Sequence, residues 1–298
     1  MVFEHASVLL AETVAALAPA DGDVIVDCTV GGGGHAEALL ETAACRVIGL
    51  DRDPAAVAAA SARLVRFGDR FVAVRARFSE LAEVLYALGL GPVQGILADL
   101  GVSSPQLDEA DRGFSFQQDG PIDMRMDPDA PVSAADLVND WPETDLADVI
   151  YRYGEERRSR AVARAIVAGR PWTSTHALAE AVARVVGRGK GRIHPATRTF
   201  QGLRIAVNDE LGELERLLPT AVERLAPGGR LAVISFHSLE DRIVKRFVAE
   251  QTGRTAERDP WGNPMGEIRL RDARSIAPDS NDPNPRARSA RLRCATRC

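Results

Sequence analysis

A run of four consecutive glycines places the strongest constraint on how this chain can fold. Residues 24–35 read VIVDCTVGGGGH, an apolar strand pattern that leads directly into the glycines at 31–34. Glycine costs backbone entropy and is retained where a chain turns sharply or lies against a ligand. The free N–H groups at the start of the following helix attract such a ligand. The segment therefore predicts a small-molecule cofactor site in an α/β sheet.

The glycine spacing alone leaves two kinds of cofactor open. Gly31, Gly33 and Ala36 fit the G-x-G-x-x-G/A turn of dinucleotide-binding folds. Asp51 follows about 20 residues later, after the strand pattern RVIGL, where a ribose-binding acid belongs. S-adenosylmethionine enzymes use the same geometry, because they also hold an adenosine ribose. A glycine-rich turn without a ligand is the third interpretation.

Length and composition restrict the class of protein. The 298 residues, 45% hydrophobic and 27% charged, suit a globular protein with one large domain or two ordinary ones. The N-terminus lacks the pattern of a secretion signal, and no stretch reaches the roughly 20 apolar residues of a membrane span. Four scattered cysteines predict neither a disulfide framework nor a zinc site. We therefore expect a reducing cytoplasmic location, no membrane and no metal.

Strand and helix patterns alternate along the first hundred residues. Strand patterns at 46–50, 71–74 and 93–100 are separated by helical ones, the second opening at Pro54 and the third capped by Ser79. This alternation predicts a parallel sheet covered on both faces. The next strand pattern, at 230–236, begins about 130 residues after Asp99, whereas a βαβ crossover needs only about 30. The difference predicts an insertion.

The insertion has the pattern of a second, mostly helical domain, which we place at 105–205, with the main domain at 1–104 and 206–298. Its helical segments include one behind the possible caps Ser174 and Thr175. A helical pattern over 208–225 returns the chain to the main sheet, and two strand patterns near the C-terminus predict a closing hairpin. Five parallel strands followed by a C-terminal hairpin are the usual sheet architecture of S-adenosylmethionine methyltransferases. The tail therefore favours a methyltransferase over a dehydrogenase.

Longer segments carry a specific family resemblance. They include GGGGH at 31–35, GLDRDP at 49–54, LADLGVSSPQLDEADRGFSF at 97–116, TRTFQGLRIAVNDEL at 197–211 and ISFHSLEDRIVKRF at 234–247. On these segments the chain resembles, over nearly its full length, the bacterial 16S ribosomal RNA cytosine-amino methyltransferases of the small-subunit methyltransferase H family. The resemblance implies a Rossmann-like class I S-adenosylmethionine methyltransferase sheet with an inserted substrate-recognition domain. It also implies methylation of the exocyclic amino group of a decoding-centre cytosine, on the assembled small subunit.

The resemblance further implies which residues bind S-adenosylmethionine. The positions that match the family's cofactor contacts are Gly33, Gly34, His35, Asp51, Phe78, Asp99 and Gln106. A carboxylate at Asp51 suits the two ribose hydroxyls, and the ring of Phe78 suits the adenine face. Asp99 follows the fourth strand, at the edge where ligands of such sheets bind.

The chemistry of amino methylation leaves the catalytic residue open. An in-line methyl transfer gains from alignment and exclusion of water and needs no covalent nucleophile. The target base must be unstacked, and an acceptor on its amino N–H would localise the nitrogen lone pair. Asp99, a loop carbonyl near Ser103 and His194 are the candidates for that acceptor.

Two basic clusters are candidates for contact with RNA, although the net charge of −5 excludes a surface that is basic throughout. They comprise Arg184, Arg188, Lys190, Arg192 and Arg198 in the insertion, and Arg286, Arg288, Arg291, Arg293 and Arg297 in the tail. Charge runs are often only solvated faces, but glycines within 188–192 favour a loop suited to phosphates. The expected partner is 16S rRNA in the small subunit, and no sequence signal sets an oligomeric state. A DNA or small-molecule methyltransferase and a non-catalytic assembly factor are the alternatives.

Overall fold

The computed structural model describes residues 7–187, 194–262, 264–279 and 287–298. The chain divides into two units, one formed by Met1–Gly101 with Leu211–Cys298 and the other by Val102–Glu210. The sequence-based boundaries stood after residues 104 and 205.

A seven-stranded sheet in the order β3-β2-β1-β4-β5-β7-β6 forms the centre of the first unit. Its strands are β1 (Val24–Asp27), β2 (Arg46–Asp51), β3 (Phe71–Arg75), β4 (Val93–Asp99), β5 (Leu225–Ser235), β6 (Leu270–Ile276) and β7 (Arg291–Arg297). Strands β1 to β5 pair in parallel, and β7 lies antiparallel between β5 and β6. The order reverses between β1 and β4, which creates at their carboxyl ends the position where ligands of such sheets bind.

The parallel strands are apolar on both faces because each one contributes to two cores. Successive side chains of a strand point to opposite faces. Accordingly, Val26, Ile48 and Ile96 pack in one hydrophobic cluster. Their neighbours Ile25, Val47 and Leu97 pack in the cluster on the other face. The prediction of a doubly covered parallel sheet, closed by an antiparallel hairpin, is confirmed.

Helices flank this sheet and build the second unit. They are α1 (Leu10–Leu17), α2 (Gly34–Thr42), α3 (Pro54–Arg63), α4 (Leu81–Ala87), α5 (Ser104–Asp108), α6 (Ala134–Asp140), α7 (Glu143–Arg152), α8 (Ser159–Ala168), α9 (Thr175–Val186), α10 (Thr197–Asn208), α11 (Glu210–Arg224) and α12 (Ser238–Gln251). In the second unit, α6 to α10 share one apolar core that includes Leu137, Ile150, Ile166, Leu178 and Leu203. No helix in the described part of the chain is long and apolar enough to span a bilayer.

Two local predictions in the first unit were wrong. Ser79 does not cap a helix, because it lies inside a short 3-10 turn, Phe78–Glu80. The carboxylate of Glu80 closes this turn by accepting from the Arg77 N–H at 2.7 Å. Strand β5 starts at Leu225 rather than Arg230, because Leu225 already pairs with Val93 before the register shifts at the Pro-Gly-Gly segment.

Helix boundaries in the second unit follow their caps. The hydroxyl of Ser174 accepts from the Ala177 N–H at 3.1 Å, which confirms Ser174 as the N-cap of α9 and leaves Thr175 as the first helical residue. The pattern predicted over 208–225 begins at Glu210, because Asp209 has a positive φ of 48° that separates α10 from α11.

Candidate cofactor site

Backbone angles explain two of the four glycines, and close packing explains a third. Gly31 and Gly33 have positive φ angles of 49° and 83°, which residues other than glycine rarely adopt. A Cβ on Gly34 would lie 2.2 Å from the Ser7 hydroxyl. Gly32 differs, because a Cβ there would meet nothing within 4 Å. The turn therefore carries one open backbone position, two residues before α2 begins at Gly34.

Asp51 is joined to the glycine turn. It ends β2, and its Oδ2 accepts from the Gly31 N–H at 3.0 Å while Oδ1 accepts from the Asp53 N–H at 2.9 Å. Burial raises the pKa of Asp51 above its usual value, and these two N–H groups partly oppose that effect. Each carboxylate oxygen keeps a further lone pair for a ligand hydroxyl.

His35 is a buried, neutral side chain in the first turn of α2. It is 5% exposed, and its Nε2 lies 3.2 Å from the carbonyl oxygen of Val8. Its Nδ1 lies 3.6 Å from Oδ2 of Asp99. Burial lowers the pKa of His35 to about 4, so the ring carries no charge at neutral pH.

Asp99 ends β4 at the switch point, and one of its carboxylate oxygens has no hydrogen-bond partner among the described residues. The Asp99 N–H donates to the Thr29 hydroxyl at 2.7 Å, which fixes this strand end against β1. The carboxylate Oδ1 is buried, and no residue in the described part of the chain forms a hydrogen bond with it. Burial, followed by the charges of Asp27 and Glu240, raises the pKa of Asp99 well above its usual value.

Asp27 is a buried acid that the sequence-based site did not include. It ends β1, is 1% exposed, and accepts from the Thr29 N–H at 3.2 Å. Asp27 pairs with Leu97 in the sheet, and Asp99 follows Leu97 by two residues, so the two acids share one face. Burial raises the pKa of Asp27 to about 7. A carboxylate at the end of an apolar strand was the signal that could have identified it.

The other predicted site residues have separate surroundings. Phe78 follows β3 and is partly buried against the core, with the Arg52 guanidinium 5.6 Å from its ring centre. Gln106 belongs to the second unit, where its Oε1 accepts from the Ser103 N–H at 3.0 Å and caps α5. His194, also in that unit, is exposed and lies 4.6 Å from the Phe116 ring. The first unit thus brings together the glycine turn, His35, Asp51 and Asp99.

The predicted basic clusters are partly used by the fold. Outside the described residues lie Arg188, Lys190, Arg192 and Arg286. Arg293 pairs with Asp241 through two bonds of 2.8 and 3.0 Å, and Arg297 donates to the carbonyls of Glu223 and Leu225. Arg184 and Arg198 in the second unit are exposed, as are Arg288 and Arg291 in the tail.

The strand order, the antiparallel β7 and the glycine turn at the switch point define a class I methyltransferase fold. The family model described as the MraW methylase family matches residues 2–298, and the chain belongs to that family. Relatives named ribosomal RNA small subunit methyltransferase H include those of Paramagnetospirillum magneticum (51% identity, 98% of this chain, 95% of that protein) and Nitrobacter winogradskyi (53%, 98% and 90%).

One solved structure is a more distant likeness. It is an rRNA methylase from Streptococcus thermophilus, aligned over 97% of this chain and 92% of that one at 12% identity with a TM-score of 0.43. At that level the likeness supports no statement about function.

Proposed function

We propose that this chain transfers a methyl group from S-adenosylmethionine to the exocyclic amino group of a cytosine in the decoding centre of 16S rRNA. The observation that carries the proposal is about 50% identity, over nearly the full chain, to proteins named ribosomal RNA small subunit methyltransferase H. The assembled small subunit is the proposed substrate, and the cytoplasm is the proposed location.

The residues of the first unit fit the proposed cofactor. Gly32 leaves an open backbone position at the start of α2, where a methionine end can lie close to the chain. Asp51 has lone pairs left for two ribose hydroxyls after it has bound Gly31 and Asp53. Asp99 presents a buried oxygen that no described residue satisfies. These features are typical of a site that a polar ligand completes.

Each residue is proposed to act in a different part of cofactor binding. The turn at Gly33, Gly34 and His35 accommodates the methionine end, Asp51 holds the ribose, and Phe78 lies against the adenine. Asp99 faces the charged part of the cofactor, and Gln106 is included on the family resemblance. When bound, S-adenosylmethionine supplies an electrophilic methyl group on a sulfonium. The chain aligns that group with the target nitrogen and excludes water.

The second unit is proposed to bind the RNA substrate, as a recognition domain at about 105–205. Exposed Arg184 and Arg198 support this role, because exposed guanidinium groups can bind phosphate. One nitrogen of Arg198 also donates to the Glu155 carbonyl at 3.5 Å. In the tail, Arg293 and Arg297 bind within the first unit, so they support an RNA contact less well.

The proposal is tested by transfer of tritiated methyl groups to purified small subunits, naked 16S rRNA and large subunits. We expect labelling of small-subunit RNA, loss of labelling by at least tenfold in Asp99→Asn, and wild-type labelling in Asp23→Asn. Asp23 is the matched control because it precedes β1 at the opposite end from Asp27, and its side chain accepts from the nearby Ala20 N–H at 2.9 Å. Small-subunit binding without any transfer would instead identify a non-catalytic assembly factor.

A further inference from the structure

The hydrogen-bond partner of His35 determines which ring nitrogen carries the single N–H hydrogen of the neutral imidazole. A carbonyl oxygen can only accept, so the Val8 carbonyl, 3.2 Å away, requires the hydrogen to be on Nε2. Because burial keeps the ring neutral, Nδ1 carries a lone pair. That lone pair faces Oδ2 of Asp99 at 3.6 Å.

This arrangement places two electron-rich atoms opposite each other unless a proton lies between them. At 3.6 Å, which is longer than a hydrogen bond, a carboxylate would repel the Nδ1 lone pair, whereas a protonated and neutral Asp99 would not. The other charged groups that act on Asp99 are Asp27, at the end of β1, and Glu240, in the first turn of α12. Both are acids, so they also favour a proton on Asp99.

We propose that His35 acts on the cofactor through Asp99: the pair holds one proton in the cofactor-free protein, and binding of the cationic cofactor displaces it to solvent. The O–H bond of Asp99 breaks, water or buffer accepts the proton, and the carboxylate then faces the cofactor's positive charge. His35 stays neutral throughout, which makes it a positioning residue. This inference rests on the proposed function, since it takes S-adenosylmethionine as the ligand.

Burial supports the same conclusion independently of the hydrogen positions. The raised pKa of Asp99 places its titration closer to neutrality than that of an exposed carboxyl group. The lowered pKa of His35 means that the imidazole does not take the proton instead. A cationic ligand lowers the pKa of a carboxyl beside it, so binding and deprotonation are linked.

The test is isothermal titration of the full-length protein with S-adenosylmethionine between pH 6 and 8, in buffers of different ionisation enthalpy. The slope of binding enthalpy against buffer enthalpy gives the protons released, and we expect up to about one per cofactor bound. Asp99→Asn should lose this release, and Asp23→Asn should keep it.

Two substitutions separate a positioning role from a structural one. His35→Phe keeps a ring but removes the acceptor, so the pH of half-maximal release should fall. His35→Asn restores an acceptor and should return that pH towards the wild-type value. If His35 only packs the turn, both variants would change affinity and leave the pH of half-maximal release unchanged.

Two outcomes would overturn the inference. Cofactor binding by the wild-type protein with no proton release across this pH range would remove it, while leaving the proposed function intact. Full release from Asp99→Asn would assign the proton to another group. Failure to bind S-adenosylmethionine at all would instead refute the proposed function.

Discussion

Replacement of Asp27 by asparagine should stabilise the cofactor-free protein, and more so as the pH rises. Asp27 is 1% exposed, and burial raises its pKa from 3.8 to about 7. Well below pH 3.8 the carboxyl is protonated in both the folded and the unfolded chain, so it has no effect on stability. As the pH rises towards 7, only the unfolded chain loses the proton, which lowers the free energy of unfolding. Above pH 7 the folded chain also loses the proton, so the free energy of unfolding falls no further.

The pKa shift sets the size of the effect. A shift of about three units corresponds to roughly 4 kcal/mol, reached near pH 8, against about 2 kcal/mol at pH 5. The asparagine side chain of the Asp27→Asn variant would not titrate, and its amide oxygen can still accept from the Thr29 N–H, as Asp27 does. The difference between the variant and the wild type should therefore grow by about 2–3 kcal/mol between pH 5 and pH 8.

Thermal unfolding measures this trend directly. At roughly 2 °C per kcal/mol for a chain of this size, the Tm advantage of Asp27→Asn should increase by about 5 °C between pH 5 and pH 8. Asp23→Asn is the control and should follow the wild-type trend. A Tm difference that is constant or that shrinks with rising pH would show that Asp27 is not a buried acid with a raised pKa.

Further predictions concern the cofactor and the substrate. Gly32→Ala should leave the Tm within about 1 °C of wild type, since the added Cβ would meet no atom within 4 Å. The same variant should bind S-adenosylmethionine more weakly in calorimetry, and unchanged affinity would place the cofactor elsewhere. Asp51→Asn should weaken cofactor binding roughly 10- to 100-fold, the range for lost hydrogen bonds to a charged group, and a smaller change would argue against a ribose contact. Arg198→Ala should weaken small-subunit binding, while cofactor affinity stays unchanged. The slope of the logarithm of the binding constant against the logarithm of salt concentration should become shallower by about one, as expected for one lost phosphate contact.

The alternation of strands and helices was predictable because its signals are local. Each strand is a short apolar run, each crossover a helical pattern, and the glycine turn marks the switch point where β1 meets β4. The cap at Gln106 was also readable, since Ser103 and Gln106 form a capping box at S-x-x-Q spacing. That local role gives the Gln106 side chain a structural function that the resemblance did not indicate.

The chemistry of the site was less predictable because it depends on contacts between distant parts of the chain. The hydrogen on His35 is set by the carbonyl of Val8, and the other ring nitrogen lies 3.6 Å from the carboxylate of Asp99, at the end of β4. Asp27 reads as the last residue of an apolar strand, and its raised pKa arises only once the sheet buries it. Sequence patterns identify such residues, whereas their protonation follows from tertiary burial.

The most direct test of cytosine amino methylation by this protein is nucleoside mass spectrometry of 16S rRNA after small subunits have been incubated with the protein and S-adenosylmethionine. Substrate subunits come from cells that lack the methyltransferase of this family. We predict cytidine methylated on its exocyclic nitrogen, located by nuclease mapping to one decoding-centre position. Cytidine methylated on ring carbon 5, methylation of another base, or no new methylated nucleoside would contradict the proposed activity.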